Sequence, residues 1–176
     1  DPRVKVLLFC SPHNPVSRVW TADEIRRTAQ IAHQAGVLFV CDEIHGEFVF
    51  GGSRYLPAAQ VEGVDPLRTV ILTSPTKTFN LAGAGIAAII AANPKVRAKI
   101  DRAVNDNEVC DVNPLGVAAL TAAYNEGAEW LDALRAYLRE NYRFLRRYFQ
   151  EHLPQYAVLP LEGTYLAWID LRPLNI

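Results

Sequence analysis

Apolar residues run unbroken through Val4-Lys5-Val6-Leu7-Leu8-Phe9-Cys10, Val37-Leu38-Phe39-Val40-Cys41 and 69–73, apart from Lys5 and the terminal threonines. Continuous rather than alternating runs of this length predict strands covered by helices on both sheet faces. Between the first two, Thr21-Ala22-Asp23-Glu24 has the form of a capping box. The helix it opens carries Ile25, Ala29 and Ala32 on one side and stops at Gly36. The three pieces make a βαβ unit, so strands one and two are expected to be parallel with a right-handed crossover. Residues 51–68, with Gly51-Gly52, Pro57, Gly63 and Pro66, predict a long connection containing a short helix.

The apolar run from Gly85 to Ala92 begins only about a dozen residues after strand three. That gap is too short for a helical crossover, so strand four is expected to return antiparallel, giving the order 4-3-2-1. Strand one would then present an apolar edge in need of a neighbour, a feature that favours association. Helices follow from Pro94 to about residue 103, over 115–125 and over roughly 128–153, with Gly127 and Pro154 as punctuation. Tyr156–Leu159 and Thr164–Leu171 predict two strands of a second, smaller layer. The class is α/β: residues 1–140 as a mostly parallel sheet with a last antiparallel strand, and 141–176 as the start of a small α+β domain.

Composition narrows the functions. A chain of 176 residues that is 50% hydrophobic can bury a real core. Its net charge of −1 gives no electrostatic case for nucleic acid or an anionic membrane. No apolar stretch is long enough to span a bilayer, and no signal peptide is present. Cys10, Cys41 and Cys110 are an odd trio at wide spacing, read as core thiols in a reducing, cytoplasmic setting rather than as disulfides or a zinc site. The chain lacks methionine altogether and starts almost on a strand, so it is expected to be a piece of a longer polypeptide.

Chemistry concentrates where the strands end. Strand one runs into Ser11-Pro12-His13-Asn14-Pro15, strand two into Asp42-Glu43-Ile44-His45, and strand three into Ser74-Pro75-Thr76-Lys77. Open α/β sheets bind ligands at such carboxyl ends, and neighbouring strands only about 4.8 Å apart can reach across one small aromatic ring. Pyridoxal 5'-phosphate (PLP) needs an amine to hold it, a carboxylate to keep its pyridine nitrogen protonated, a donor to its phenolic oxygen and a grip on its phosphate. Lys77, Asp42, Asn14 and Ser74 match those needs in turn.

The ordered triple is Asn14-Pro15, Asp42 28 positions on, and Ser74-x-x-Lys77 with its lysine 35 positions beyond Asp42. It resembles the PLP-dependent class I/II aminotransferases of fold type I. Ser11-Pro12-His13-Asn14-Pro15-x-x-Arg18-x-Trp20, Asp42-Glu43-Ile44-His45 and Lys77-Thr78-Phe79-Asn80-Leu81-Ala82-Gly83 are similar to the C–S lyase branch of the cystathionine β-lyase type. The resemblance implies that Lys77 carries the cofactor and then serves as base for the substrate's Cα proton. It implies that Asp42 pairs with the pyridinium, Asn14 donates to the phenolic oxygen and Ser74 contacts phosphate. His45 stands where many aminotransferases carry tyrosine and would contact that oxygen or the substrate. It further implies an amino-acid substrate and a homodimer. Departures are Ser17, where many relatives have glycine, and Gly85, where many aminotransferases place a basic phosphate ligand.

Two PLP activities fit: a lyase releasing thiol, pyruvate and ammonia, and an aminotransferase. A metal hydrolase using His13, Asp42, Glu43 and His45 leaves Lys77 unexplained, and a fourth reading is a folded piece with no activity of its own. Trp130, Tyr165 and Trp168 are expected in the core, and Tyr55 either in its loop or at a neighbouring subunit's site.

Overall fold

A computed structural model describes residues 1–175, so only Ile176 of the expected small domain lies outside it. Strands β1 (Val6–Cys10), β2 (Leu38–Asp42), β3 (Thr69–Thr73) and β4 (Ala88–Ala91) form one sheet in that order. β1 and β2 pair in parallel, as do β2 and β3, and β4 returns antiparallel to β3. The expected topology holds. In register, Cys10 lies opposite Asp42 and Asp42 opposite Leu72. The pairing continues one step past the strands: Ser11 N–H donates to the Asp42 carbonyl at 2.9 Å, and Glu43 N–H donates to the Leu72 carbonyl at 2.9 Å. Three chain segments are therefore held side by side just where the chemistry-bearing residues begin.

Helix α1 (Ala22–Gln34) starts at the capping box, with Thr21 and Glu24 each satisfying a backbone N–H of the other. Gly36, at φ +71, takes the left-handed turn that ends it. Ile25, Ala29 and Ala32 pack against Leu7, Phe9, Phe39, Cys41 and Ile71, with the Phe39 ring meeting Phe9 at 5.5 Å and His33 edge-on at 6.4 Å. Because the cap supplies one acceptor for an otherwise orphaned N–H, Thr21→Ala is expected to cost about 1 kcal/mol in unfolding free energy. An unchanged denaturant midpoint would contradict that account of the helix start.

The opposite sheet face differs from expectation. Val6 is 52% and Leu8 66% exposed; α1 covers one face, and among the described residues no helix covers these two side chains. The other helices pack elsewhere. α2 (Pro75–Thr78) is one turn long, α3 (Pro94–Asp106) follows β4, and α4 (Pro114–Glu126) leads into the 25-residue α5 (Ala128–His152). α5 buries Leu131 with Phe48 and Phe50 in a second apolar cluster that also takes Phe79, Leu134, Leu138 and Leu161. Arg135 fastens it to the segment after β2, donating from Nε to the Glu47 carbonyl at 2.7 Å and from Nη2 to the Glu47 carboxylate at 3.0 Å.

β5 (Ala157–Val158) and β6 (Ile169–Asp170) form a two-stranded antiparallel sheet, each shorter than its sequence pattern. The residues between them run as a strut through the molecule. Phe50 N–H donates to the Glu162 carbonyl at 2.8 Å, Thr164 N–H to the Phe48 carbonyl at 2.9 Å, and Gly163 N–H to the Ser17 carbonyl at 2.9 Å. A Cβ on Gly163 would meet Val19, Pro12 and the Phe48 carbonyl at 2.8–3.0 Å. Glycine is what lets three chain segments approach so closely there.

Candidate active site

Lys77 sits on α2 rather than in an open loop. Ser74 caps this turn: its hydroxyl accepts from Thr76 N–H at 3.1 Å and donates to the Ile86 carbonyl at 2.6 Å. With that single proton spent, the 2.7 Å contact between the Ser74 and Thr76 hydroxyls has Thr76 as donor. Pro75 opens the turn at a position that needs no N–H, and Phe79 N–H closes it on the Pro75 carbonyl at 2.9 Å. The half-buried Lys77 side chain lines a cavity of about 290 Å³, shared with Thr76, Asn80, Phe48, Leu134 and Tyr165.

Asp42 ends β2, half-buried, one carboxylate oxygen accepting from Ile44 N–H at 3.2 Å. Three residues on, His45 is 1% exposed. Gly46 N–H bonds the Glu43 carbonyl and Phe48 N–H the His45 carbonyl, both at 2.9 Å, so the backbone here is a compact double turn. Both His45 ring nitrogens are buried without a hydrogen-bond partner. A pair of unpaired buried nitrogens is costly and marks a place built for something else to bond. Burial pushes the His45 pKa down, the Lys77 charge pushes it further the same way, and the Asp42 carboxylate pulls it up. The ring is therefore neutral at neutral pH, with one donor and one acceptor nitrogen.

Asn14 lies in the tight loop after β1, which Ser17 N–H closes on the His13 carbonyl and His13 N–H closes on the Arg18 carbonyl, each at 2.8 Å. Its side chain is exposed, while its backbone N–H reaches the Cys10 sulfur at 3.5 Å. Asp42, His45 and Lys77 thus come within electrostatic reach of one another, and Asn14 stands on the adjoining strand end. Ser74 is buried beneath Lys77, its hydroxyl already engaged. Ser17 is wholly internal: its hydroxyl donates to the Leu166 carbonyl and lies 2.9 Å from the Thr164 hydroxyl.

Several residues escaped the sequence. Tyr165 and Trp130, expected in the core, are 38% and 47% exposed and line the Lys77 cavity; Trp168 is likewise exposed. The Tyr165 ring stands edge-on to both His45 and Phe48, each at 5.2 Å. Tyr55 hydrogen-bonds Glu43 of its own chain. That engagement removes Glu43 from the metal reading, and no cluster of three or more His, Cys, Asp or Glu side chains among the described residues is placed to hold an ion.

The family model for aminotransferase class I and II matches residues 1–175. The chain belongs to that family. It is 37% identical to protein MalY of Escherichia coli over 99% of this chain and 44% of that protein. It is 32% identical to cystathionine beta-lyase PatB of Bacillus subtilis over 100% of this chain and 46% of that one. The PLP-bound C–S lyase of Staphylococcus hominis superposes with a TM-score of 0.87 at 33% identity, over 96% of this chain and 43% of that structure. The chain thus spans less than half the length of these relatives. No helix of the described residues is long and apolar enough to cross a membrane.

Proposed function

We propose that this chain forms part of a PLP-dependent C–S β-lyase acting on cysteine S-conjugates of the cystathionine type. The observation that carries the reading is the meeting of Lys77, Asp42 and a buried, unpartnered, neutral His45 at the ends of parallel strands. The donor set fits PLP. Lys77 supplies the amine that holds it, Asp42 the carboxylate for the ring nitrogen, and His45 and Asn14 the groups for the phenolic oxygen. Ser74 stands beneath as a phosphate contact that would have to share or release its Ile86 bond, with the Thr76 hydroxyl beside it. When bound, the cofactor supplies an electron sink in conjugation with the substrate's α-carbon.

Lys77, once freed from the cofactor by the substrate amine, takes the Cα proton. Its neighbours suit that task, since a neutral imidazole adds no charge and Asp42 is spoken for by the ring. Loss of the β-thiolate then leaves, after hydrolysis, thiol, pyruvate and ammonia. The lyase names among the relatives favour this outcome over transamination. The whole protein is read as a cytoplasmic homodimer, which light scattering would report directly. The exposed apolar face of β1 supports burial against further protein. The boundary near residue 140 falls inside the continuous α5, so that helix would join the large and small domains.

Products decide the chemistry. With L-cystathionine and no keto acid, the full-length protein is expected to release thiol and pyruvate in equal amounts over many turnovers. Turnover that stops without an added keto acid would replace the lyase reading by an aminotransferase.

A further inference from the structure

The cavity beside Lys77 has a composition that says something about what enters it. Phe48, Trp130, Leu134, Leu138 and Tyr165 supply its apolar wall, and Lys77 is the only charged side chain among the described residues of the lining. The nearest guanidinium on α5 is already committed: Arg135 bonds Glu47 twice and the Asp132 carboxylate at 3.0 Å. A volume of about 290 Å³ lies near the lower end of small-molecule sites. It exceeds what a lysine side chain needs and accommodates a substituent of benzyl size.

The walls are held in place by the surrounding structure. Thr164 N–H donates to the Phe48 carbonyl at 2.9 Å, and the Thr164 hydroxyl meets Ser17 at 2.9 Å, so the residue before Tyr165 is fixed to two other segments. The Tyr165 ring then stands at 84° to Phe48. Trp130 stacks on Phe79 with ring centroids 6.1 Å apart, and Leu134 and Leu138 follow on the same side of α5 at helical spacing. Aromatic and branched surfaces favour thioether sulfur and apolar substituents. They penalise a charged group that would lose its water without finding a partner.

We propose that this cavity receives the sulfur substituent of the substrate and selects uncharged, aromatic or branched thioethers over those ending in a charged group. Trp130 and Tyr165 are its specificity-determining residues. The inference rests on the lyase reading above and adds to it the identity of the group on sulfur.

The test compares S-benzyl-L-cysteine with S-(4-carboxybenzyl)-L-cysteine, which differ by one carboxylate, in the full-length holoenzyme. The parent is expected to prefer the benzyl compound by at least about tenfold in kcat/KM, a modest discrimination for a pocket contact. Trp130→Arg places a cation in the wall at a half-exposed site and is expected to erase that preference. Tyr165→Leu, adding no charge, is expected to lower kcat/KM for the benzyl compound while keeping the direction of selectivity. Calorimetric titration of Lys77→Ala, which cannot turn the compounds over, is expected to show the same preference in Kd. A normal cofactor band and thiol release, with a ratio near one that Trp130→Arg leaves unmoved, would overturn the cavity assignment alone. Absence of the band and of thiol release in the parent would overturn the lyase reading and this inference together.

Discussion

Lys77→Ala is expected to abolish both the visible absorption band that forms with PLP and the cofactor adduct fixed by borohydride, and to lower turnover by at least about 10³-fold. In the parent, mass spectrometry is expected to find the adduct on the peptide carrying Lys77 and nowhere else. The contrast is internal to the chain. Lys5, Lys95 and Lys99 are exposed and so remain solvated and protonated, whereas Lys77 is half-buried on a capped turn beside His45 and Asp42. The substitution removes no hydrogen bond that holds α2 together, since Ser74, Thr76 and Pro75 make those. Stability is therefore expected to change by less than about 1 kcal/mol, which separates loss of the nucleophile from loss of the fold. Adducts scattered over the exposed lysines, or a band that survives Lys77→Ala, would refute the assignment.

Much of this arrangement was legible in the sequence because it depends on local periodicity and on short connections. The unbroken run at 69–73 coincides with β3, and the Thr21–Glu24 pair marks the start of α1. The dozen residues before the fourth strand forced its antiparallel return. Asp42 and Lys77 were legible for the same reason, since each directly follows a strand. What escaped depends on contacts distant in sequence. The strut at 161–166 bonds Ser17, Phe48 and Phe50 outside any regular ladder, so its residues read as strand while the paired parts shrink to β5 and β6. Tyr165 and Trp130 read as core because aromatic residues usually are. Their place on a cavity wall follows from the strut and from the face α5 turns toward Phe48, neither of which has a local signature. The uncovered side of β1 escaped too, because an apolar run reports that a strand is apolar on both faces without naming what covers each.

The second large effect is expected at Glu43, which lies between Asp42 and His45 and serves neither as ligand nor as base. It is 2% exposed. One carboxylate oxygen accepts from Ala58 N–H at 2.7 Å, and the other accepts from the Tyr55 hydroxyl, with the Cys41 thiol alongside. The Tyr55 ring lies over Gly46, where a Cβ would come within 2.7–2.9 Å of it. The loop at 51–58 is thus fastened to the turn that aims Asp42 and His45. Glu43→Ala strands two buried donors and opens a hole, and is expected to cost about 3 kcal/mol in unfolding free energy. It should also weaken PLP binding. Glu43→Gln keeps an acceptor for Ala58 and an amide for the Tyr55 oxygen, and is expected to recover most of both.

The pH dependence supplies a separate check. Burial raises the Glu43 pKa above its usual 4.5, outweighing the bonds from Ala58 and Tyr55 that lower it. The unfolded chain therefore releases this proton at lower pH than the folded one. The contribution to stability is complete below about pH 4.5 and declines as pH rises through the folded pKa, then levels off. Denaturant unfolding across that range should show the parent losing ground to Glu43→Gln with rising pH. A parallel pair of curves, or a Glu43→Ala protein as stable as the parent, would mean that the carboxyl does not anchor the loop.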